Sequence, residues 1–310
     1  MLLTVLIFSC LSSILINFII QRKFLSNGLV DKINHRSSHE VIATRSGGVS
    51  IFILVFLISS YNYIIGFTLF DYSLIIPLIL LLSIGLYDDI YNIDYKLKFI
   101  FQIIAAKLII DSGLIIDNFH GLFNIYEINR ILAQVLTIFA IVAIINSINF
   151  IDGIDGLAIV VISIFIIIFE NSVLTPTPFI YLSFILLGSF IPNLVYNLKP
   201  QNKVFLGDSG SLFLGGVVSI YILHILSNKY IINPDLDINK ILFVISILVY
   251  PIVDIIRVFF LRLRKGKSPF LADKNHIHHI ILKKTKNHFT TTLLISCLTI
   301  FIVLLFQLIF

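Results

Sequence analysis

The sequence predicts an all-α, polytopic membrane protein with about ten transmembrane helices. Its composition is the first reason, because 58% of the 310 residues are hydrophobic and only 13% are charged. Soluble domains are about half apolar and about a quarter charged, and the mean hydropathy here is +1.03. The second reason is that the apolar residues form long runs, and a helical bilayer crossing needs about 20 such residues in succession. Lipid is therefore the expected environment of most of the chain.

The apolar runs are separated by short polar segments. The longest of these segments, 21–47 and 260–290, are too short to fold as soluble domains, so residues 1–310 are predicted to form one integral membrane domain. The predicted spans are residues 2–20, 48–66, 72–89, 97–115, 130–149, 156–174, 177–196, 211–228, 239–259 and 291–310.

The basic residues predict which side of the membrane each loop faces. The first run has no basic stretch before it and no small-residue cleavage site, and Arg22 and Lys23 follow it. This order predicts a retained first span with the N-terminus outside. Every second loop is then cytoplasmic, namely 21–47, 88–96, 150–156, 197–210 and 260–290. All Lys and Arg residues lie in or near these loops except Lys107, Arg130, Lys229 and Lys240, which is the positive-inside pattern.

The net charge of +5 would also suit a nucleic-acid partner. The basic residues are concentrated at the predicted membrane surface, however, so anionic lipid or phosphorylated ligands are expected and nucleic acid is not.

Two adjacent carboxylates, Asp88 and Asp89, end the third predicted span. They repel each other, border the hydrocarbon and lie at the negative end of a helix, so each feature disfavours their charged forms. Acidic residues at membrane depth are candidates for function and need a cation. The alternative is an ordinary solvated helix end.

A second acidic motif, Asn149-Phe-Ile-Asp152-Gly-Ile-Asp155-Gly156, follows the fifth span. Its polar side chains recur at every third residue and would line one face of a helical turn. Carboxylates beside a carboxamide suit a hydrated Mg²⁺ ion or a nucleoside. Taken alone, Asp-Gly pairs more often simply form turns.

A third motif, Gly207-Asp208-Ser-Gly-Ser211, begins the eighth span. The free N–H groups of a helix start favour anions, and Asp208 could hold a metal ion that bridges to them. The competing interpretation is an ordinary helix cap, for which Asp, Ser and Gly are common residues.

The last predicted cytoplasmic loop contains His276-Ile-His278-His279. Imidazoles among cations can hydrogen-bond a diphosphate, whereas a zinc site fits the neighbouring acids and bases less well. A basic loop that binds lipid headgroups is the plainer alternative. The basic residues of this loop are Arg262, Arg264, Lys265, Lys267 and Lys274.

Taken in order, these motifs resemble the polyprenyl-phosphate N-acetylhexosamine-1-phosphate transferases, glycosyltransferase family 4. This family includes the phospho-MurNAc-pentapeptide translocase and the undecaprenyl-phosphate GlcNAc-1-phosphate transferase. The resemblance covers nearly the whole chain and is carried by residues 85–89, Lys98 and Gln102, residues 146–158, residues 204–211 and residues 276–279.

The resemblance implies attack of a polyprenyl phosphate oxygen on the β-phosphorus of a UDP-sugar, with release of UMP, at the cytoplasmic face of a bacterial inner membrane. The catalytic residues it implies are Asp88, Asp89 and Asp208. It implies Mg²⁺ held by Asp208 and Asp152, with Mn²⁺ as the alternative ion. The substrate-binding residues it implies are Lys98, Asn149, Asp152, Asp155, His276, His278 and His279. The oligomeric state, a homodimer included, stays open.

Two loops leave the sugar undecided between GlcNAc and a modified N-acetylhexosamine. Residues 34–39 resemble the branch that uses modified sugars, whereas the histidine motif resembles the GlcNAc-1-phosphate branch. Residues 42–44 are Ile-Ala-Thr where the family usually has Pro-Thr-Pro, and the loss of two prolines is expected to loosen this loop.

Three other functions compete with this interpretation. A secondary transporter would place its polar site near the midplane, but here the acids gather at one predicted face. A CDP-alcohol phosphotransferase would carry further spaced aspartates after Asp155, and none follows on that run. A catalytically inactive, lipid-binding relative is the third alternative.

Overall fold

The computed structural model describes residues 1–31, 42–227, 229–232, 239–266 and 275–309, apart from the side chains of Phe123 and of residues 307–309. Predicted features in residues 34–39, and Lys267 and Lys274, lie outside these ranges. The described helices are α1 (Leu2–Ser26), α2 (Gly47–Ile64), α3 (Ile75–Tyr91), α4 (Tyr95–Asp111), α5 (Arg130–Ile151), α6 (Leu157–Asn171), α7 (Ile180–Leu198), α8 (Gly207–Leu226), α9 (Lys240–Ile247), α10 (Val249–Arg264), α11 (Ile277–Thr285) and α12 (His288–Ile309).

The prediction of an all-α, polytopic membrane protein is confirmed. Among the described residues, 7 helices are long and apolar enough to cross a membrane, or 8 if α9 and α10, bent by 74° at their junction, form one span. The predicted spans 97–115 and 156–174 correspond to α4 and α6, which have 17 and 15 residues. Both are shorter than the roughly 20 residues of a full crossing, so the count of ten spans stays a prediction.

Helix α8 is the centre of the bundle, and each of its residues except Asp208 is buried. Small residues let its neighbours approach closely, as is usual between membrane helices. A Cβ atom added to Gly48 of α2 would lie 2.1 Å from the Cα atom of Gly210. One added to Gly85 of α3 would lie 2.4 Å from the backbone oxygen of Asp208. Glycine therefore fixes how near α2 and α3 come to the start of α8.

Helix α1 turns a polar stripe inward and its apolar residues outward. The stripe recurs every four residues, and Ser13 and Asn17 of this stripe are buried. The Ser13 hydroxyl donates to the backbone oxygen of Ser189 on α7 at 3.3 Å, and Ser50 of α2 donates to Asn17 Oδ1 at 2.7 Å. In hydrocarbon such polar groups need partners within the protein, so this stripe joins α1 to α2 and α7.

A short parallel strand pair outside the helices was not predicted. Strand β1 (Ala43–Thr44) pairs with β2 (Lys203–Val204), with Ala43 opposite Lys203 and Thr44 opposite Val204. The backbone ladder therefore restrains Ala43 and Thr44, while the expected loosening of residues 42–44 relative to a proline-containing loop stays a prediction. The backbone N–H groups of Gly47 and Gly48 extend the contact to the chain just before α8. The ladder thus brings the starts of α2 and α8 together.

Candidate active site

The predicted site residues of α3, α4 and α8 meet at one end of the bundle. Asp88 lies in the last turn of α3, and Asn92 ends that helix in a left-handed conformation, with φ of 51°. The chain then re-enters a helix at Asp94, whose side chain caps α4. This tight reversal places Lys98 of α4 beside Asp88.

Lys98 bridges two carboxylates. Its Nζ atom lies 2.8 Å from Asp88 Oδ2 and 2.8 Å from Asp208 Oδ2. The other oxygen of Asp88 accepts the backbone N–H of Ile93 at 2.9 Å. One ammonium group therefore serves two acidic side chains, and the local charge is negative before any ligand is considered.

Asp89 points in a different direction from Asp88, into the start of α8. Its oxygens accept the backbone N–H groups of Asp208 and Ser209, each at 2.9 Å. Gly207 precedes them with φ of 74°, and a Cβ there would lie 2.6 Å from Asp89 Oδ2. Asp89 thus satisfies unpaired N–H groups at a helix start, where the helix dipole also favours a carboxylate.

Arg45, for which no role was predicted, joins the acidic cluster of Asp88, Asp89 and Asp208 from the segment before α2. Its guanidinium lies 2.9 Å from Asp31 Oδ1 and 3.4 Å from Asp89 Oδ1. Burial alone would lower the pKa of Arg45, but Asp31, Asp89 and Asp208 outweigh that effect and raise it. Arg45 is therefore a second fixed cation at the acidic cluster.

The motif between α5 and α6 does not present one helical face, contrary to the spacing argument. Helix α5 ends at Ile151, and the next five residues form a turn because Gly156 adopts a φ of 74°. Asn149, still on α5, donates to the Ser211 hydroxyl at 2.8 Å. Burial, followed by the charges of Asp208 and Asp89, raises the pKa of Asp152 well above its usual value.

Asp155 is paired with two bases. It forms an ion pair with Lys203 of β2, and its Oδ2 lies 3.4 Å from His288 Nδ1 at the start of α12. Burial would raise the pKa of Asp155, but hydrogen bonds with His288 and Lys203 hold it below the usual value. Thr292 of α12 also donates to the Asp155 backbone oxygen at 3.1 Å.

The predicted histidines lie beside the same turn. A Cβ on Gly153 would be 3.1 Å from His278 Nε2 and 3.3 Å from His279 Nε2. His276 Nδ1 lies 2.6 Å from Asp254 Oδ2. Burial, and next the neighbouring His279, lower the pKa of His278 to about 3, so this imidazole is neutral at physiological pH. The last loop therefore reaches the acidic turn, as the sequence predicted.

Asp152 and Asp208 could supply some, but not all, of the ligands of a hard divalent cation. Burial, followed by the charge of Asp208, disfavours the ionised form of Asp152, and carboxylate oxygens are donors that Mg²⁺ prefers. Within the described ranges, no three or more His, Cys, Asp or Glu side chains are grouped as a preformed metal site. Mg²⁺ commonly takes only one or two carboxylates and completes its shell with substrate phosphates and water, so this pair fits such a site.

His288 and Lys203 were not predicted as site residues, nor was Tyr250, whose hydroxyl lies 3.0 Å from His278 Nδ1. A lone histidine near an apolar run and a lysine among loop residues carry no distinctive spacing. Asp254, in contrast, was conspicuous as a charged residue inside the apolar run 239–259.

Comparison with known proteins shows the family of this chain. The model of the family described as glycosyl transferase family 4 matches residues 71–226, which contain every predicted site residue except the histidines. The undecaprenyl-phosphate α-N-acetylglucosaminyl 1-phosphate transferase of Pasteurella multocida is 35% identical over 270 residues, 83% of this chain and 72% of that protein.

Relatives of the same name include those of two further bacteria. The protein of Haemophilus influenzae is 33% identical over 270 residues, again 83% of this chain and 72% of that protein. The protein of Yersinia pestis is 30% identical over 295 residues, 90% of this chain and 76% of that protein. The family match covers half of the chain, and the relatives align with most of it. This chain therefore belongs to glycosyl transferase family 4.

Proposed function

We propose that this chain transfers N-acetylhexosamine-1-phosphate, GlcNAc or a modified N-acetylhexosamine, from a UDP-sugar to undecaprenyl phosphate, and so starts a cell-envelope polysaccharide. The observation that carries the proposal is the meeting of Asp88, Lys98 and Asp208 from three helices at one end of the bundle. The relatives named for undecaprenyl phosphate and N-acetylglucosaminyl 1-phosphate support this choice of substrates.

The proposed reaction exchanges one phosphate–oxygen bond for another. An oxygen of the lipid phosphate forms a bond to the β-phosphorus, and the bond from that phosphorus to the bridging oxygen breaks. The bridging oxygen leaves on UMP with the bonding electrons. Where the lipid phosphate carries a proton, Asp88 accepts it or orients the attacking oxygen, and the proton passes to water.

Electrostatic compensation is the main task of the protein, because two anions must approach each other. Lys98 is already placed between two helices and its side chain is 20% exposed, so it can contact a diphosphate. Asn149 and Asp155 are proposed to bind the nucleoside, although Asp155 would do so while paired with Lys203. His276, His278 and His279 are proposed to contact the diphosphate from the last loop.

Asp208 and Asp152 are proposed to hold Mg²⁺, or Mn²⁺ in its place. When bound, the ion supplies positive charge that offsets the diphosphate and the leaving UMP. Burial, followed by the charges of Asp208 and Asp89, raises the pKa of Asp152. A cation would offset the part of this shift that comes from the two charges, which supports the assignment. Asp89 contributes by fixing the backbone that carries Asp208.

The orientation is part of the proposal. The distribution of Lys and Arg supports an outside N-terminus, ten spans and a site at the cytoplasmic face of the bacterial inner membrane. Asp88, Asp152 and Asp208 all border loops that this rule assigns to the cytoplasm.

The test is UMP release by the purified protein in detergent with undecaprenyl phosphate, Mg²⁺ and each of UDP-GlcNAc, UDP-GalNAc, UDP-FucNAc and UDP-QuiNAc. Release that requires both lipid and metal supports the proposal, and the preferred sugar identifies the branch. Asp208→Asn should be nearly inactive at limiting Mg²⁺, whereas Asp111→Asn, an exposed carboxylate paired with Lys107, is the matched control. A folded protein that releases no UMP with any of these donors would overturn the proposal.

A further inference from the structure

Two residues of α10 hold two histidines of the last loop. Tyr250 and Asp254 are four residues apart, so their side chains lie on one face of the helix. The Tyr250 hydroxyl is 3.0 Å from His278 Nδ1, and Asp254 Oδ2 is 2.6 Å from His276 Nδ1. Tyr250 is 5% exposed and Asp254 is 1% exposed, so both contacts are shielded from water. Neither α10 residue has a role in the proposed reaction so far.

The contact with Asp254 determines which nitrogen of His276 carries hydrogen. An ionised carboxylate can only accept hydrogen bonds, so His276 Nδ1 must be the donor. The other Asp254 oxygen accepts the backbone N–H of Ile277 at 2.7 Å, which holds the carboxylate in place. In the neutral imidazole, His276 Nε2 is then an acceptor, and a guanidinium nitrogen of Arg262, a pure donor, lies 3.5 Å from it.

The contact with Tyr250 assigns the opposite tautomer to His278. The hydroxyl hydrogen of Tyr250 is buried and needs an acceptor, and among the described residues His278 Nδ1 is the acceptor within reach, at 3.0 Å. If that nitrogen carried the hydrogen of the neutral ring, the hydroxyl would be left as an unpaired buried donor. His278 Nδ1 is therefore the acceptor, and the ring hydrogen is on Nε2.

The Nε2 atom of His278 is directed at the turn between α5 and α6. It is buried and has no hydrogen-bond partner among the described residues, and it would contact a Cβ on Gly153 at 3.1 Å. Asp152, which precedes Gly153, belongs to the same group of carboxylates as Asp89 and Asp208. A buried N–H group without a protein partner at this place is suited to a substrate oxygen.

We propose that Tyr250 and Asp254 are positioning residues that set opposite tautomers on two histidines. Tyr250 makes His278 present an Nε2–H donor to a substrate oxygen at the Gly153 turn, and Asp254 makes His276 present an Nε2 acceptor to Arg262. The expected effect on catalysis rests on the proposed transferase function. The tautomers of the two histidines can be measured whether or not the protein is a transferase.

The first test is nitrogen NMR of the full-length protein labelled with ¹⁵N-histidine, which distinguishes protonated from bare ring nitrogens. The His278 signals are identified by their loss in His278→Gln. We expect hydrogen on His278 Nε2 in the unaltered protein, and a shift of hydrogen toward Nδ1 in Tyr250→Phe. Hydrogen on His278 Nδ1 in the unaltered protein would overturn the inference, whether or not the protein is a transferase.

The second test uses a glutamine in place of His278, because its side-chain amide keeps a donor near the Nε2 position but has no tautomers. Tyr250→Phe should lower kcat/KM for the UDP-sugar about tenfold, which corresponds to about 1.4 kcal/mol. In His278→Gln protein the same replacement should change kcat/KM by less than about twofold. Equal losses in both backgrounds would mean that Tyr250 acts through packing and would contradict the inference.

Tyr230→Phe is the matched control. Its hydroxyl is also buried and donates to the backbone oxygen of Phe169 at 2.8 Å, and its ring packs edge-on against His224 rather than against His276 or His278. It should lower thermal stability while kcat/KM per folded molecule stays unchanged. If no protein, including the unaltered one, releases UMP, the proposed transfer fails and the NMR result alone decides the tautomers.

Discussion

The carboxylate of Asp89 accepts a hydrogen bond from the backbone N–H of Asp208, with 2.9 Å between Oδ1 and the nitrogen. Its second oxygen accepts the next N–H along, from Ser209. Asp89 therefore caps α8 from a different helix, and the side chain of Asp208 stays directed at Lys98. The two adjacent acids of α3 consequently differ in their contacts, since Asp88 pairs with Lys98 and Asp89 holds the backbone of α8.

Replacement of Asp89 by asparagine tests this division. An amide has one acceptor oxygen where a carboxylate has two, so one N–H at the start of α8 loses its partner and Arg45 loses a counter-charge. We expect the free energy of unfolding to fall by about 1–3 kcal/mol and UMP release to fall at least about 100-fold. Thermal unfolding and the UMP assay measure the two effects. Asp111→Asn is the control, and an Asp89→Asn protein of normal stability would contradict the capping role.

Replacement of Lys98 by glutamine separates substrate binding from metal binding. Loss of the ammonium leaves Asp88 and Asp208 uncompensated, so a divalent cation at Asp208 should bind more tightly. The diphosphate loses a fixed cation at the same time. We therefore expect turnover to fall at least about 100-fold, while the Mg²⁺ concentration for half-maximal rate decreases.

The readout for this prediction is a Mg²⁺ titration of UMP release, with Mn²⁺ binding followed by electron paramagnetic resonance. Lys107→Gln, which removes an exposed lysine paired with Asp111, is the control and should leave both quantities unchanged. Weaker metal binding in Lys98→Gln would argue against a metal ion at Asp208.

The meeting of Asp88, Lys98 and Asp208 was predictable because each lies at a span end that the basic residues assign to one side. Hydropathy and charge predict such a side, and the family-like motifs selected the residues. The central place of α8 was less evident, since its small residues indicate close packing but not which helices approach. Only the structure identifies Gly48 and Gly85 as the points of contact.

The partners of Asp155 could not be predicted, because they come from segments far along the chain. Spacing suggested that Asn149, Asp152 and Asp155 share a helical face, but the helix ends at Ile151 and the turn separates them. The packing of the loops decides which carboxylate pairs with which cation. Sequence periodicity predicts helical faces but not loop packing. Lys203 therefore had no distinguishing signal.

The Asp155 ion pairs should make stability depend on pH. Hydrogen bonds with His288 and Lys203 hold the pKa of Asp155 below its ordinary value. The folded state therefore gains stability from the ionised group above the unfolded pKa of about 3.9, and loses that gain as the pH falls through the folded pKa. We expect the unaltered protein to be more stable than Asp155→Asn at neutral pH, with the difference shrinking below about pH 4.

Thermal unfolding in detergent as a function of pH measures this difference. Asp111→Asn should differ little from the unaltered protein at any pH, because exposed ion pairs contribute little to stability. A difference between the unaltered protein and Asp155→Asn that stays constant down to about pH 3 would contradict the prediction.

Two glycines of the interface between α3 and α8 should respond differently to alanine. A Cβ on Gly85 would lie 2.4 Å from the backbone oxygen of Asp208, whereas one on Gly216 would meet only the side-chain ends of Leu81 and Leu78, at 2.6 and 3.0 Å. The backbone oxygen of Asp208 cannot move away from an added methyl group, whereas a leucine side chain can change rotamer. Gly85→Ala should therefore push α3 from α8, lower stability by about 1–3 kcal/mol and reduce UMP release more than about tenfold.

Gly216→Ala adds the same methyl group to the same interface and should cost clearly less in both measurements, because the two leucines can change rotamer. Comparing the two variants separates the effect of displacing Asp88 and Asp89 from the effect of a general loss of packing. If Gly216→Ala impaired UMP release as strongly as Gly85→Ala at equal stability loss, the close approach of Gly85 to Asp208 would not be what aligns the acidic residues.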